Sequence, residues 1–385
     1  MNATMSTYQR FPIELIGGHD FHLIDQNGKS YVDLTAGIGV CNFGYSNCAI
    51  QQAAAQQISQ LWHISNLYQN PLAEEVAELL CPADYQAFFC NSGTEANEAA
   101  LKLAFKVASD KSTKQPKEIV AFNYGFHGRT IGSLSVTGYP HIQEGFDPLL
   151  PHVKMVDYNQ EQALTAINEN TAAVILEVIQ GEGGVNVGHQ QWLQAVQAQC
   201  QATQTLLIVD EVQTGMGRTG YQFAYQQFGL EPDIITVAKG LANGLPVGAM
   251  LAKKNVAKHF KIGNHGTTFG GNLVAMAAAK EVLQQLTPTF LTSVQAKGAF
   301  LMKLLEQEIA PLAQVKAVSG AGLMIGIHLT EEVPVNQVIT SLQKAGYLTL
   351  SARGNTLRLL PPLVIDESHL KQAVEAIKLA IATQP

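Results

Sequence analysis

The fold of this chain is decided by the stretch from Leu206 to Gly240, LLIVDEVQTGMGRTGYQFAYQQFGLEPDIITVAKG. Its first apolar run, 206–209, ends at Asp210, and its second run, 234–238, ends at Lys239. Short β-branched runs of this kind predict buried parallel strands. Open α/β sheets bind ligands beyond the carboxyl ends of their strands, so Asp210 and Lys239 are predicted to lie side by side over one pocket.

An aspartate beside a lysine in such a pocket fits pyridoxal phosphate. The aldehyde of that cofactor condenses with a lysine amine, and its ring nitrogen needs a carboxylate that keeps it protonated. Either residue alone is weak evidence, because acidic strand ends and surface lysines before a glycine are common in α/β proteins. The pair therefore indicates the cofactor only when further motifs support it.

The composition bounds the class of protein. A chain of 385 residues with 46% hydrophobic and 14% charged residues predicts a globule of two or three domains with a large core. The formal net charge of -7 argues against a nucleic-acid partner, and no apolar stretch is long enough to predict a membrane span. The N-terminus shows no signal-peptide pattern. The five cysteines lack metal spacing and predict reduced, mostly buried thiols in a cytoplasmic protein.

A turn at Asn91–Thr94 separates a predicted strand, 86–90, from a predicted helix. A glycine-containing turn before a helix exposes backbone N–H groups at the positive end of the helix dipole, which suits a phosphate. Ser92 and Glu95 also have the spacing of a capping box, so a well-capped helix explains the same residues. Glu95 and Glu98 would partly compete with a phosphate, and the residues alone leave both explanations open.

Three other polar or aromatic positions have two explanations each, and a fourth has one. Phe126 follows a predicted strand and could stack on a flat cofactor ring or belong to the core. Glu182, in a glycine-rich turn, is either a turn-stabilising carboxylate or a movable gate. Arg358 stands in an apolar run and needs a carboxylate partner, from the protein or from a substrate. Thr268, in a glycine-rich loop, is consistent with ordinary turn chemistry.

Several motifs together resemble the class III (subgroup II) pyridoxal-phosphate aminotransferases. They are SGTEANEA at 92–99, VDEVQTGMGRTG at 209–220, AKG at 238–240, GLPVGAM at 244–250 and WHISNLY at 62–68. The resemblance extends over about residues 18–381. Within the family, the chain most resembles the members that act on N2-acetylornithine.

The resemblance implies a role for each candidate site residue. It implies that Lys239 holds the cofactor and shuttles a proton, that Asp210 keeps the ring nitrogen protonated, and that Glu182 acts as a gate. The implied cofactor contacts are Ser92, Gly93, Thr94, Phe126, His127, Asp210, Val212, Gln213, Lys239, Thr267 and Thr268. The implied substrate contacts are Arg129, Arg358 and Glu182, and no metal is implied. Thr268 is expected to reach the phosphate of a partner subunit, which makes a homodimer the expected assembly.

The implied fold is α/β, the aminotransferase fold type I. It has a large domain at 56–272 with a mostly parallel seven-stranded sheet, and a small α+β domain formed by 1–55 and 273–385. The implied reaction is the ping-pong transfer of the terminal amino group of N2-acetylornithine to 2-oxoglutarate, giving N-acetylglutamate 5-semialdehyde and glutamate in arginine biosynthesis. The expected partners are these small molecules, with no nucleic acid and no membrane.

Other functions stay open on the sequence. Ornithine, succinylornithine or 4-aminobutyrate could be the amine donor, and the same fold carries a glutamate-semialdehyde aminomutase that needs no 2-oxoglutarate. A non-catalytic binding protein is also possible but has no use for Lys239. The chain departs from the family pattern at Asp20, where glycine is common, at Gly44–Asn47, and at Val178, where proline is usual. His63 is predicted to be a packed histidine rather than an acid–base group.

Overall fold

The computed structural model describes residues 3–111 and 117–384, without the side chain of residue 111. Its strands, in chain order, are β1 Leu15–His19, β2 His22–Asp25, β3 Ser30–Asp33, β4 Tyr85–Cys90, β5 Glu118–Phe122, β6 Val153–Val156, β7 Thr171–Leu176, β8 Ile179–Gln180, β9 Asn186–Val187, β10 Leu206–Asp210, β11 Ile234–Val237, β12 Gly248–Lys253, β13 Val315–Ala321, β14 Met324–Leu329, β15 Tyr347–Leu348, β16 Leu350–Ala352 and β17 Thr356–Leu359.

Helices alternate with these strands along the chain. In chain order they are the short turn α1 Ala36–Gly39, α2 Cys48–Gln60, α3 Pro71–Leu80, α4 Gly93–Lys111, α5 Ile131–Ser135, α6 Pro140–Gln143, α7 Gln190–Thr203, α8 Lys254–Ala257, α9 Leu273–Gln285, α10 Pro288–Glu308, α11 Val335–Lys344 and α12 Glu367–Ala382. Side-chain caps fix several starts. Asn47, for example, accepts from the backbone N–H of Ile50 at 3.2 Å at the start of α2.

A seven-stranded sheet with the order β4-β12-β11-β10-β7-β5-β6 forms the centre of the molecule. Its strands are parallel except β12, which runs antiparallel to both of its neighbours. In β10, Leu207 and Val209 pack in one hydrophobic cluster, whereas Leu206 and Ile208 pack in another. Both faces are therefore buried, which explains the unbroken apolar run. The predicted mostly parallel seven-stranded sheet is confirmed.

A second region completes the α/β fold with a smaller α+β unit. It contains the antiparallel sheet β13-β14-β17-β16 and the sheet β1-β2-β3-β15, which joins residues from both chain ends. Its own hydrophobic cluster includes Leu34, Leu301, Ile327 and Ile377. The boundaries 1–55, 56–272 and 273–385 stay a prediction, and residues 1, 2 and 385 lie outside the described ones.

Local expectations differ from the structure at two places in the C-terminal part. The sequence at 320–327 predicts a single strand with close backbone packing, but the chain turns at Gly322 (φ 54°) into the hairpin of β13 and β14. The sequence also predicts a long helical stretch from about Leu273. This stretch is broken between α9 and α10, because Thr287 caps the backbone N–H of Phe290 and Pro288 starts a new helix.

Two expectations about burial also differ. His63 was expected to be packed, but it is exposed beside Trp62, which is 67% exposed. Its ring centroid lies 5.4 Å from that of Phe269, another exposed aromatic residue. Of the five cysteines, all free, only Cys90 and Cys200 are buried, so the expectation of mostly buried thiols is only partly right. No helix of the described residues is long and apolar enough to cross a membrane.

Candidate active site

The carboxyl ends of β10 and β11 bring Asp210 and Lys239 to one cavity, as the sequence predicts. Asp210 is paired in register with Thr236 of the neighbouring strand, and Lys239 follows three residues later. The cavity has a volume of about 450 Å³, and both residues line it. Lys239 has a left-handed φ of 41°, a strained conformation for a residue with a side chain. Such strain is typical of functional positions.

Asp210 is held by three groups around its carboxylate. The side-chain amide of Asn97 donates to Oδ2 at 2.8 Å, and Nδ1 of His127 lies 2.8 Å from the same oxygen. The backbone N–H of Val212 donates to Oδ1 at 2.9 Å. Asn97 is itself fixed by the hydroxyl of Thr236, which donates to its Oδ1 at 2.7 Å. The carboxylate is 3% exposed, and these hydrogen bonds orient it toward the cavity that it lines.

The opposite charges of Glu182 and Arg358 both act on the amine of Lys239. Burial lowers the pKa of the Lys239 amine below its ordinary value, the Glu182 carboxylate opposes this change, and the Arg358 guanidinium adds to it. A lysine with a lowered pKa carries more of the neutral amine, which is the nucleophilic and proton-accepting form. The surroundings of Lys239, just after the end of β11, therefore favour the neutral form of its amine.

Arg358 and Glu182 form an ion pair in the wall of the cavity. Nη1 of Arg358 donates to Oε1 of Glu182 at 2.5 Å and to Oε1 of Gln213 at 3.2 Å. The Arg358 side chain is 3% exposed, whereas that of Glu182 is 33% exposed. Burial opposes ionisation of Glu182, but the Arg358 charge and hydrogen bond outweigh it, so the pKa of Glu182 lies below its ordinary value. Glu182 is thus an ionised, partly exposed partner of a buried cation.

The turn before α4 forms another part of the lining of the cavity. Ser92, Gly93 and Thr94 line it, and the first N–H groups of a helix have no intrahelical acceptor. The two glutamates that could compete for this end are engaged elsewhere. Glu95 Oε2 accepts from the backbone N–H of Asn91 at 2.6 Å, and Glu98 Oε1 accepts from that of Ser133 at 3.1 Å.

The segment after β5 supplies an aromatic ring and a cation. Phe126, His127 and Arg129 all line the cavity, and the Arg129 guanidinium lies 5.6 Å from the centroid of the Phe126 ring. The backbone N–H of Arg129 donates to the hydroxyl of Thr94 at 3.3 Å, which ties this segment to the start of α4.

Thr267 and Thr268 are the predicted site residues that the structure does not bring to this cavity. The lining residues do not include them, and Thr268 is exposed. Thr267 instead accepts a hydrogen bond from the side chain of Asn91 at 3.1 Å. All other predicted site residues line the cavity except Arg358, which reaches Glu182 and Gln213 in its wall.

Glu177 and Asn97 are among the cavity residues that the sequence reasoning did not find. Glu177 follows β7 directly, and its carboxylate accepts from the backbone N–H groups of Phe126 at 2.9 Å and Gly181 at 3.2 Å. The rule that polar residues at strand ends line the pocket would have found it. Asn97 gives no such signal, because its role depends on the face of α4 that packs against β11.

The residues present fit pyridoxal phosphate. A Cβ at Gly93 would lie 2.7 Å from Cγ1 of Val212, so only glycine allows this close approach of the helix start to the cavity wall. The helix start suits an anion, Asp210 suits a protonated ring nitrogen, and Lys239 suits an aldehyde. Gly93, Thr94, Phe126, Asp210 and Lys239 are therefore the residues that would hold this group.

Comparison with known proteins gives matches over nearly the whole chain. The family model described as aminotransferase class-III matches residues 6–381. The acetylornithine aminotransferase of Lactiplantibacillus plantarum is 55% identical over 100% of this chain and 97% of its own length. That of Lactococcus lactis is 49% identical over 98% of this chain and 99% of its own length.

Solved structures give the same fold. The ornithine aminotransferase of Toxoplasma gondii superimposes with a TM-score of 0.94 at 30% identity, covering 99% of this chain and 92% of that one. The N-acetylornithine aminotransferase of Stenotrophomonas maltophilia superimposes with a TM-score of 0.83 at 32% identity, covering 98% and 97%.

Proposed function

Because the chain belongs to the class-III aminotransferase family, we propose that it transfers the terminal amino group of N2-acetylornithine to 2-oxoglutarate in a ping-pong cycle. The products are N-acetylglutamate 5-semialdehyde and glutamate, as expected of a step in arginine biosynthesis. The observation that carries this proposal is the Arg358–Glu182 pair in the wall of a cavity that Lys239 and Arg129 also line. The relatives named above support the choice of donor.

Pyridoxal 5'-phosphate, the proposed cofactor, supplies the electron-withdrawing ring that makes the substrate carbon acidic. The other steps belong to residues of this chain. Asp210 holds a proton on the ring nitrogen, and Lys239 moves a proton to and from the substrate carbon with its ε-amine. Gln213 would donate a hydrogen bond to the ring oxygen, and Phe126 would stack on the ring face.

The ion pair explains how one cavity accepts two unlike donors. Glutamate reacts beside its α-carboxylate, which Arg358 can bind in place of Glu182. N2-acetylornithine reacts at its terminal amine and has no carboxylate there, so Glu182 must neutralise the buried guanidinium. Its 33% exposure leaves the Glu182 side chain room to swing away when glutamate arrives. Arg129, which also lines the cavity, would bind the distal carboxylate of either substrate.

The active site is proposed to be completed by a second copy of the chain. Thr268 is exposed and lies outside its own chain's cavity, which suits a residue that reaches a partner's phosphate. Trp62, Leu67 and Phe269, which lie near this loop, are 67%, 92% and 59% exposed, and exposed apolar residues of this size favour an interface. A cytoplasmic location stays a prediction.

A comparison of donors tests the function. Purified protein with added cofactor should form glutamate from 2-oxoglutarate with a higher kcat/KM for N2-acetylornithine than for ornithine, succinylornithine or 4-aminobutyrate. A preference for another of these amines would overturn the donor assignment. Conversion of glutamate 1-semialdehyde without any 2-oxoglutarate would instead support the aminomutase.

A further inference from the structure

The glycine-rich turn that carries Glu182 is attached to the β16–β17 hairpin at two points. The backbone N–H of Arg353, at the tip of the hairpin, donates to the carbonyl oxygen of Glu182 at 3.1 Å. Arg358, in β17 of the same hairpin, binds the side chain of Glu182. The main chain and the side chain of one glutamate are therefore held by residues five positions apart.

The tip of the hairpin is in turn fixed by an aromatic contact. The guanidinium carbon of Arg353 lies 3.2 Å from the centroid of the Tyr124 ring. Such a stack of a cation on a ring is favourable even at an exposed site, and both residues are exposed. Among the described residues, the side chain of Arg353 has no carboxylate within ion-pair distance, so Tyr124 is the contact that orients it.

Tyr124 and the hairpin enclose the turn from two sides. A Cβ at Gly183 would lie 2.9 Å from the carbonyl oxygen of Tyr124, and a Cβ at Gly184 would lie 2.8 Å from that of Arg353. Tyr124 has a left-handed φ of 67°, which is uncommon for an aromatic residue. The Tyr124 ring is therefore carried by a strained backbone beside the turn that contains Glu182.

We propose that the stack of Tyr124 on Arg353 is a positioning device that holds the main chain of Glu182 while its side chain switches. This positioning role rests on the proposed function, because only a reaction with two unlike donors requires the Glu182 side chain to leave Arg358 and return to it. With the main chain fixed, the Glu182 carboxylate returns to Arg358 whenever the α-carboxylate of glutamate leaves. With a loose turn, the paired state is less populated, and the donor without that carboxylate reacts more slowly.

Two substitutions remove the stack with little risk to the fold. Tyr124→Asn deletes the ring with a residue that tolerates a left-handed φ, and Arg353→Gln deletes the cation but keeps the backbone N–H. Each should lower the single-turnover rate with N2-acetylornithine roughly two- to fivefold and leave the rate with glutamate unchanged. The matched controls, Tyr124→Phe and Arg353→Lys, keep a ring or a cation and should retain most of the wild-type ratio of the two rates.

A second measurement does not depend on turnover. Hydrogen exchange of the backbone amides at 181–184 and 353 should become faster in Tyr124→Asn and Arg353→Gln and stay near the wild-type rate in the two controls. Unchanged exchange, or equal rate losses with both donors, would overturn the positioning role. Failure of the wild-type protein to react with N2-acetylornithine would refute the proposed donor instead, and the exchange measurement would still decide the role of the stack.

Discussion

Replacement of Glu182 by alanine should separate the two half-reactions. The change leaves Arg358, with its 3% exposed side chain, without a carboxylate partner. Breaking a fully buried pair costs about 3–5 kcal/mol, whereas an exposed pair contributes about 0–1 kcal/mol. Because Glu182 is 33% exposed, a cost of about 2 kcal/mol is expected, which corresponds to roughly a 30-fold slower reaction with N2-acetylornithine.

The glutamate half-reaction should change much less in the same variant. Glutamate brings its own carboxylate to Arg358, so its loss of rate should stay within about threefold. Single-turnover kinetics with each donor, followed by the absorbance of the bound cofactor, measures both rates. Glu182→Gln keeps an acceptor oxygen without the charge and should fall between alanine and the wild type.

A matched control separates loss of the gate from loss of any ion pair. Glu331→Ala removes an exposed pair with Lys316 at 2.9 Å and should leave both rates unchanged. Glu182 also raises the pKa of Lys239, so its loss would change the proton-transfer properties of this lysine in both half-reactions alike. Equal losses with the two donors would therefore refute the gate and assign Glu182 to the tuning of the lysine.

Four further predictions concern other residues. Borohydride reduction of the purified, yellow protein should attach the cofactor to Lys239, and a peptide map that finds it on another lysine would disprove the assignment. Asp210→Asn should bind cofactor yet lose about 100-fold or more in kcat, because a neutral amide cannot hold the ring proton electrostatically; near-normal turnover would remove that role. Mixing the inactive variants Thr268→Ala and Lys239→Ala should restore about a quarter of the wild-type sites, since each hybrid dimer has one intact site, whereas no recovery would mean that each chain works alone. Burial raises the pKa of Glu211 to about 7, so between about pH 4.5 and 7 this carboxyl is more protonated in the folded chain than in the unfolded chain. The free energy of unfolding of the wild type should therefore fall relative to that of Glu211→Gln as pH rises through this window, by at most about 3 kcal/mol in urea titrations. A pH-independent difference would contradict this prediction.

The central sheet was predictable because burial on both faces leaves a direct trace in the sequence. The stretches that form β10 and β11 are mostly apolar, and the polar residues at their ends follow from the topology of parallel sheets. The position of Glu177 follows from the same rule and was overlooked. The hairpin of β13 and β14 was not predictable from apolar character alone, since its turn depends on the left-handed φ of Gly322.

Other parts of the site depend on backbone conformations that periodicity does not encode. Asp20, which stands where the resembling family commonly has glycine, adopts a left-handed φ of 48°, so the departure keeps the glycine-like conformation. The turn α1 has positive φ at Ala36 and Ile38 as well as at its glycines, a left-handed turn that costs roughly 1–2 kcal/mol for each non-glycine residue. Tertiary contacts must outweigh such costs, and a single sequence does not show those contacts.

Two buried arginines show how structure separates a functional cation from a structural one. The side chain of Arg218 is 0% exposed, and it donates to the carbonyl oxygens of Leu323 and Pro361 and to the side-chain oxygen of Asn42. Arg358 is nearly as buried. The Nε atoms of both residues lack a hydrogen-bond partner within the described part of the chain, so incomplete hydrogen bonding does not distinguish them.

The hydrogen-bond acceptors distinguish the structural Arg218 from the functional Arg358. Two of the three acceptors of Arg218 are backbone carbonyls that cannot leave without unfolding, and burial without a directly bound carboxylate lowers the pKa of this guanidinium to about 9. Both acceptors of Arg358 are side chains that line the cavity, and the charged one is a third exposed. Alternate binding of two substrates requires an exchangeable carboxylate, that of Glu182, on a fixed cation, that of Arg358. The carboxylate of the incoming substrate replaces a partner of the same charge, so the buried guanidinium stays neutralised throughout.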